Sequence, residues 1–129
     1  MNDILLASLK KIKFFDTFSS GRLQEISNIA TIESFSLGEK ILAPDLIPNK
    51  ISFVLDGEIR LIYQDKEEII TLAKGLSGTP IGIISHLRSQ GCEYILASSD
   101  INVLTIPDTL FIELYQENKD FKNLCDNTN

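Results

Sequence analysis

The sequence predicts a mainly β fold with flanking helices: an antiparallel jelly-roll barrel (a double-stranded β-helix) with N-terminal and C-terminal helices. Three observations point to it. Apolar residues recur at helical spacing near the two ends of the chain, as in Ile4, Leu5, Leu9 and Ile12, and again in Leu110, Phe111 and Leu114. Between them, short apolar runs alternate with Gly-, Pro- and Asp-containing turns at spacings of roughly ten residues, the pattern of small antiparallel barrels. The length of 129 residues, with 43% hydrophobic and 23% charged content, suits one globular domain with a core of useful size. No internal repeat, low-complexity segment or linker divides the chain. It reads as one domain over residues 1–129, with N-terminal helices at about 4–30, the β-barrel at about 31–107 and C-terminal helices at about 108–126.

The elements follow in order. Residues Ile4 to Ile12 form an amphipathic helix, and Phe14, Phe15 and Phe18 plug one end of the core. Ser19 is the N-cap of a second helix ending near Ala30. Phe18 and Leu23 stand at the two positions of a hydrophobic staple, and Leu23, Ile26 and Ile29 face inward. From Thr31 the period changes to two: Ile32 and Phe35 lie in a strand that ends at Ser36-Leu37-Gly38-Glu39, and Lys40 to Ala43 is a short strand. Pro44 to Asn49, with two prolines, is a loop. Ile51 to Leu55 reads as a buried strand and Asp56-Gly57 as a tight hairpin turn to Ile59–Tyr63, because Asp-Gly between apolar runs is a strong hairpin signal. After a polar turn at Gln64 to Glu67, Glu68 to Ala73 is a strand. Beyond the turn at Ser99-Asp100, Asn102 to Ile106 is the last strand. Pro107-Asp108 opens a helix with Leu110, Phe111 and Leu114 on one face, and Asp120 to Cys125 is a final short helix.

Composition excludes several functions. A net charge of −6 with only 12 basic residues, spread along the chain, speaks against a nucleic-acid surface. Lys10, Lys11 and Lys13 read as the solvated face of the first helix. No apolar run approaches the ~20 residues that cross a bilayer, and the lysines follow the first apolar residues, the wrong order for a secretory signal. A cytoplasmic location is expected, without membrane insertion by this segment. Cys92 and Cys125 have neither a metal-ligand spacing nor a redox-motif spacing. Cys92 is expected as a small core residue in an apolar strand, and Cys125 as a free, half-buried thiol. A jelly-roll metalloenzyme needs several His with a carboxylate around its metal, but this chain has one His, His86. A nucleophilic enzyme has no base except that same residue. No catalysis, no catalytic residue and no metal site are expected.

The stretch from Leu72 to Asp100 organises the chain. A strand ends in a turn with Gly75 and Gly78, and Pro80 opens a short helical segment from Ile81 to Leu87, proline suiting a first helical turn. A loop, Arg88 to Gly91, returns the chain to a strand over Cys92 to Ser98. A helical turn between two strands, its N-terminus facing a glycine loop, offers free N–H groups to an anion.

The order of these parts resembles the cyclic nucleotide-binding domain family over nearly the whole chain. The resemblance is carried by Leu9 to Phe18 before the capped helix, with its Leu-x-x-x-x-x-Phe pattern, and by Phe35-Ser36-Leu37-Gly38-Glu39-Lys40-Ile41-Leu42. It continues in Phe53-Val54-Leu55-Asp56-Gly57-Glu58-Ile59-Arg60-Leu61 and in Ala97-Ser98-Ser99-Asp100-Ile101-Asn102-Val103-Leu104-Thr105-Ile106-Pro107. The resemblance implies that the helical turn is a phosphate cassette: backbone N–H groups hold the cyclic phosphate, a Glu binds the ribose hydroxyl and an Arg fork pairs with the phosphate.

This chain departs from that pattern. Ile81-Gly82-Ile83 stands where the family has Phe-Gly-Glu, so Gly82 matches and Ile83 replaces the acid. Gly91-Cys92-Glu93 stands where Arg-Ser/Thr-Ala is expected, so Gly91 replaces the arginine and Glu93 brings a negative charge beside the anion site. Losing the arginine's charge-assisted hydrogen bonds removes roughly 3–5 kcal/mol. That is about two to four orders of magnitude in affinity. The candidate ligand cassette is Gly82, Ile83, Ile84, Ser85, Arg88, Gly91 and Cys92, with Ile81, Ile83 and Ile84 making the pocket more apolar. Arg88, Ser85 and His86 are the residues that would restore an anion function, against a plainer role for Arg88 and His86 as solvent-facing loop residues.

The expected function is a non-catalytic regulatory or sensor module that does not bind cAMP or cGMP in the usual way. The alternative is a genuine sensor of a cyclic nucleotide or other small anionic ligand, using Arg88 and backbone N–H groups. The resemblance also implies a protein effector or a larger host polypeptide, such as a transporter or signalling protein carrying the domain at its N-terminus. The transcription-factor version of the family, with a helix-turn-helix after the last helices, is not expected. A homodimer through Phe111, Leu114 and Tyr115 competes with those residues covering their own barrel.

Overall fold

Helical periodicity near the N-terminus becomes two helices, α1 (Asp3–Lys10) and α2 (Ser20–Ile29), joined through a 3-10 turn over Lys13–Phe15. The computed structural model describes residues 3–128; residues 1, 2 and 129 of the expected 1–129 unit lie outside them. Ser19 caps α2, its hydroxyl accepting the Arg22 N–H at 3.2 Å. The buried stripe is narrow: Leu5, Leu9, Ile12, Leu23 and Ile26 are buried, whereas Ile4 (75% exposed) and Ile29 (48%) turn outward, contrary to the expected inward faces.

Eight strands follow: β1 (Thr31–Phe35), β2 (Lys40–Leu42), β3 (Lys50–Asp56), β4 (Ile59–Asp65), β5 (Glu68–Gly75), β6 (Pro80–Ile81), β7 (Ile95–Ala97) and β8 (Ile101–Pro107). Helix α3 (Ile83–Arg88) sits between β6 and β7, and α4 (Asp108–Glu117) and α5 (Lys119–Asp126) come last. The antiparallel strands form two sheets, in the orders β1-β8-β3-β6 and β2-β7-β4-β5. This is the expected jelly roll with flanking helices, built as two sheets rather than as one closed barrel.

The central strands of the first sheet, β3 and β8, are covered on both faces, which explains their continuous apolar runs. Ile51 and Phe53 of β3 and Leu104 and Ile106 of β8 pack against the helices, in one cluster with Phe15, Ile26, Phe111, Leu114 and Phe121. Val54, Ile101 and Val103 face the second sheet and meet Leu42, Ile59, Ile95 and Ala97. Phe14, Phe15, Phe18, Phe53, Phe111 and Phe121 form a ring-to-ring network with centroid separations from 5.1 to 6.2 Å. The N- and C-terminal helices are also joined by an Arg22 fork onto Glu117, at 2.7 and 3.1 Å.

Three local expectations are corrected. The Asp56-Gly57 turn is not a hairpin: β3 is bonded by β8 and β6, so both its edges are taken and the chain crosses to the second sheet. The real hairpin is β4–β5, with Asp65 opposite Glu68. Pro80 does not open a helix; it pairs with Phe53 in β6, an edge strand, where a missing N–H is tolerated. The strand expected over Cys92 to Ser98 is only Ile95–Ala97, and Cys92 is exposed rather than part of the core.

Cys125 is the buried thiol, in the helical core beside Phe121. Burial, with the Asp126 charge adding to it, pushes this thiol up to about 12. A thiol-specific disulfide reagent at about pH 8 is expected to modify one cysteine quickly in the native protein and the second only after denaturation. Two fast thiols would contradict this burial. Because the unfolded thiol ionises from about its ordinary 9.0 while the folded one stays protonated, this group makes stability fall as pH rises from about 9 towards 12.

Candidate functional site

The site is the segment between β6 and β7. Gly82 is the N-cap of α3, with φ +101°, a left-handed conformation that side chains other than glycine adopt at a cost. It has no side chain to cap the helix. A Cβ there would also lie 3.0 Å from Pro48 Cγ and 3.3 Å from the Lys50 carbonyl oxygen. The first-turn N–H groups of α3 therefore need an acceptor from elsewhere in the chain.

Glu93 supplies it. Its carboxylate accepts the Ser85 N–H at 2.9 Å on one oxygen and the Gly82 N–H at 3.3 Å on the other. The side chain is 4% exposed. The chain's own carboxylate thus occupies the place where the sequence predicts an external anion. The return loop is bonded to the helix as well: the Ser85 hydroxyl accepts the Cys92 N–H at 3.2 Å, and the Gln90 N–H reaches the Ser85 carbonyl at 3.1 Å.

Gly91 is a close-approach glycine. A Cβ built on it would stand 2.4 Å from Leu46 N, 2.6 Å from the Asp45 carbonyl carbon and 2.7 Å from Leu46 O. These are backbone atoms of the Pro44–Asn49 loop, which lies over the return loop and leaves no room for a side chain. Where the resemblance expects an arginine, a loop passes instead.

The remaining candidates separate. Ile83 is buried in the helical core, and Ile81 packs between the two sheets, so the two do not share a ligand pocket. Ile84 is half-buried, and Ser85 is buried and bonded as described. Arg88 is exposed at the last residue of α3, about 9 Å along the helix from its N-terminus at 1.5 Å per residue. His86 is not a loop residue: it lies on α3, its Nε2 is 3.4 Å from Asp108 Oδ2, and its ring meets Phe111 edge-on at 5.5 Å. Tyr115 and Phe111, considered above for a dimer, pack against the helical core of their own chain.

Beside Cys92, the second sheet forms a groove of about 400 Å³ lined by Pro44, Leu61, Tyr63, Leu72, Cys92 and Tyr94 among others. Its walls are mostly apolar. Among the described residues, no group of three or more His, Cys, Asp or Glu side chains could hold a metal ion. No described helix is long and apolar enough to cross a membrane.

In the sequence Glu93 stands out only as an unfavourable charge beside the anion site. The available signal was a single acid between Cys92 and Tyr94 facing a helix that starts at a glycine and has no cap of its own. The loop over Gly91 had no signal, since it depends on how the Pro44–Asn49 segment folds back.

No protein-family model and no curated protein matches this sequence. Solved structures do match its fold. The regulatory domain of Toxoplasma gondii protein kinase A with cAMP superposes with a TM-score of 0.84 at 14% identity, over 97% of this chain and 48% of that one. A cyclic nucleotide-binding domain from Methylobacillus flagellatus gives 0.71 at 21%, over 93% and 69%. The regulatory subunit of a cAMP-independent protein kinase A from Trypanosoma cruzi, bound to guanosine, gives 0.74 at 14%, over 97% and 49%. The chain thus spans about half the length of the two kinase chains. It has the fold of the cyclic nucleotide-binding domains.

Proposed function

We propose that this chain is a non-catalytic regulatory module of cyclic nucleotide-binding fold that does not take cAMP or cGMP by the phosphate. The observation that carries this reading is the buried Glu93 carboxylate on the Gly82 and Ser85 N–H groups. A cyclic phosphate would have to displace a group that is covalently present at high effective concentration. It would gain no arginine in return, since Gly91 lies under the Pro44–Asn49 loop. The module acts as one domain through contacts with a protein effector or a host polypeptide. Two free cysteines suit a reducing, cytoplasmic setting.

Thermal-shift and calorimetric titrations with cAMP, cGMP and cyclic dinucleotides, on wild type and Arg88→Ala, test it. A ligand at a hundred times its Kd stabilises the folded state by about 2.7 kcal/mol. The expected result is no shift with any of them. A saturable shift of several degrees sinks the reading, and its loss in Arg88→Ala would assign the phosphate to that arginine.

A second reading rests on the groove beside Cys92: a neutral, flat ligand that needs no anion site. The guanosine held by the Trypanosoma cruzi chain, a nucleoside without phosphate, is a precedent within this fold. Guanosine belongs in the same titrations, and a shift with it alone would favour this second reading.

A further inference from the structure

Helix α3 is attached in two places that do different things. Its first turn is bonded to Glu93. Its other contacts lead to the C-terminal helices: Ile83 and Leu87 join the core that contains Leu110 and Phe111, and His86 reaches Asp108 and Phe111. A six-residue helix does not hold itself together in water, because nucleation costs more than so few hydrogen bonds return. Without a side chain at Gly82 to cap it, the start of α3 depends on the Glu93 acceptor.

We propose that Glu93 is an internal tether: by satisfying the first turn of α3 it keeps that helix seated on α4, and so sets the state of the C-terminal helices from inside the chain. This rests on the reading that the anion seat is filled by Glu93. If the carboxylate leaves, the Gly82 and Ser85 N–H groups lose their buried acceptor, the first turn loosens, and Ile83 and His86 leave their places. Phe111 then loses an edge-on ring, and Asp108, in the first turn of α4, loses its partner. The His86–Asp108 contact gives the docking a direction that apolar packing alone lacks. Whatever draws Glu93 from its seat is therefore felt at α4.

Hydrogen exchange measured by mass spectrometry on wild type, Glu93→Gln and Glu93→Ala tests the tether. In Glu93→Ala, exchange in residues 82–89 and, with them, in residues 108–117 is expected to rise about tenfold or more beyond the rise in β1, β3 and β8, which follows the loss of global stability alone. Glu93→Gln, whose amide oxygen still accepts, is expected to show a smaller rise in both segments. Sodium acetate, but not sodium chloride at equal ionic strength, is expected to restore part of the protection in Glu93→Ala. An excess rise confined to 82–89, with 108–117 following β1, β3 and β8, overturns the proposal. A uniform loss of protection in both variants overturns it too, since the carboxylate would then be a general folding requirement. Cyclic AMP added to wild type in the same experiment keeps the two questions apart. Protection gained by residues 82–93 would sink the reading of a filled seat, whereas the response of 108–117 in the variants decides the tether.

Discussion

Glu93→Ala is expected to lower the unfolding free energy by about 3 kcal/mol, because two N–H groups in a buried position lose their acceptor at roughly 1–3 kcal/mol each. One effect opposes this: an acidic side chain no longer has to be kept out of water. The hydrogen bonds win, because the acceptor is placed where a short helix has no cap of its own and truncation leaves a void as well. In a chain of this length the loss corresponds to about 10 °C in Tm. Thermal and urea unfolding would measure it, with Glu93→Gln expected to lose about half as much. A Glu93→Ala protein as stable as wild type would mean that the carboxylate's burial costs as much as its bonds return.

Gly91→Arg, which restores the residue type that the resemblance expects, is predicted to fail in both respects. It should lower stability by about 2–3 kcal/mol, the usual cost of forcing atoms into an occupied space. The atoms in the way are backbone atoms of Asp45 and Leu46, which cannot rotate aside as a flexible side chain would. It should also bring no affinity for cAMP, since the seat beside it already holds Glu93. Equilibrium unfolding and a cAMP titration of this one variant check the two halves. The double variant Gly91→Arg/Glu93→Ala separates them: cAMP binding there but not in the single variant would show that the carboxylate, rather than the missing arginine, excludes the nucleotide.

The elements that were legible are those whose evidence is local. The Ser19 cap, the Phe18–Leu23 start of α2, the α4 face of Leu110, Phe111 and Leu114 and the α3 position all follow from neighbours within about one helical turn, where periodicity and capping chemistry operate. What failed was partner choice. Asp56-Gly57 is turn chemistry, but whether a turn makes a hairpin or a crossing depends on which strands already hold the edges of β3. Pro80 suits both a first helical turn and an edge strand, and only the pairing with Phe53 chooses between them.

The same division holds at the site. By itself the sequence determined the jelly-roll class, the short helix between two strands and the replacement of both expected ligand-binding side chains by Ile83 and Gly91, because these are matters of residue type and order. Only the tertiary structure decided that Glu93 turns inward onto the α3 N–H groups, that the Pro44–Asn49 loop lies on Gly91, and that His86 meets α4 while Arg88 stays exposed. Each of these depends on a contact between segments that are brought together by the packing of the sheets, and a short helix leaves its unpaired N–H groups open to whichever acceptor that packing delivers.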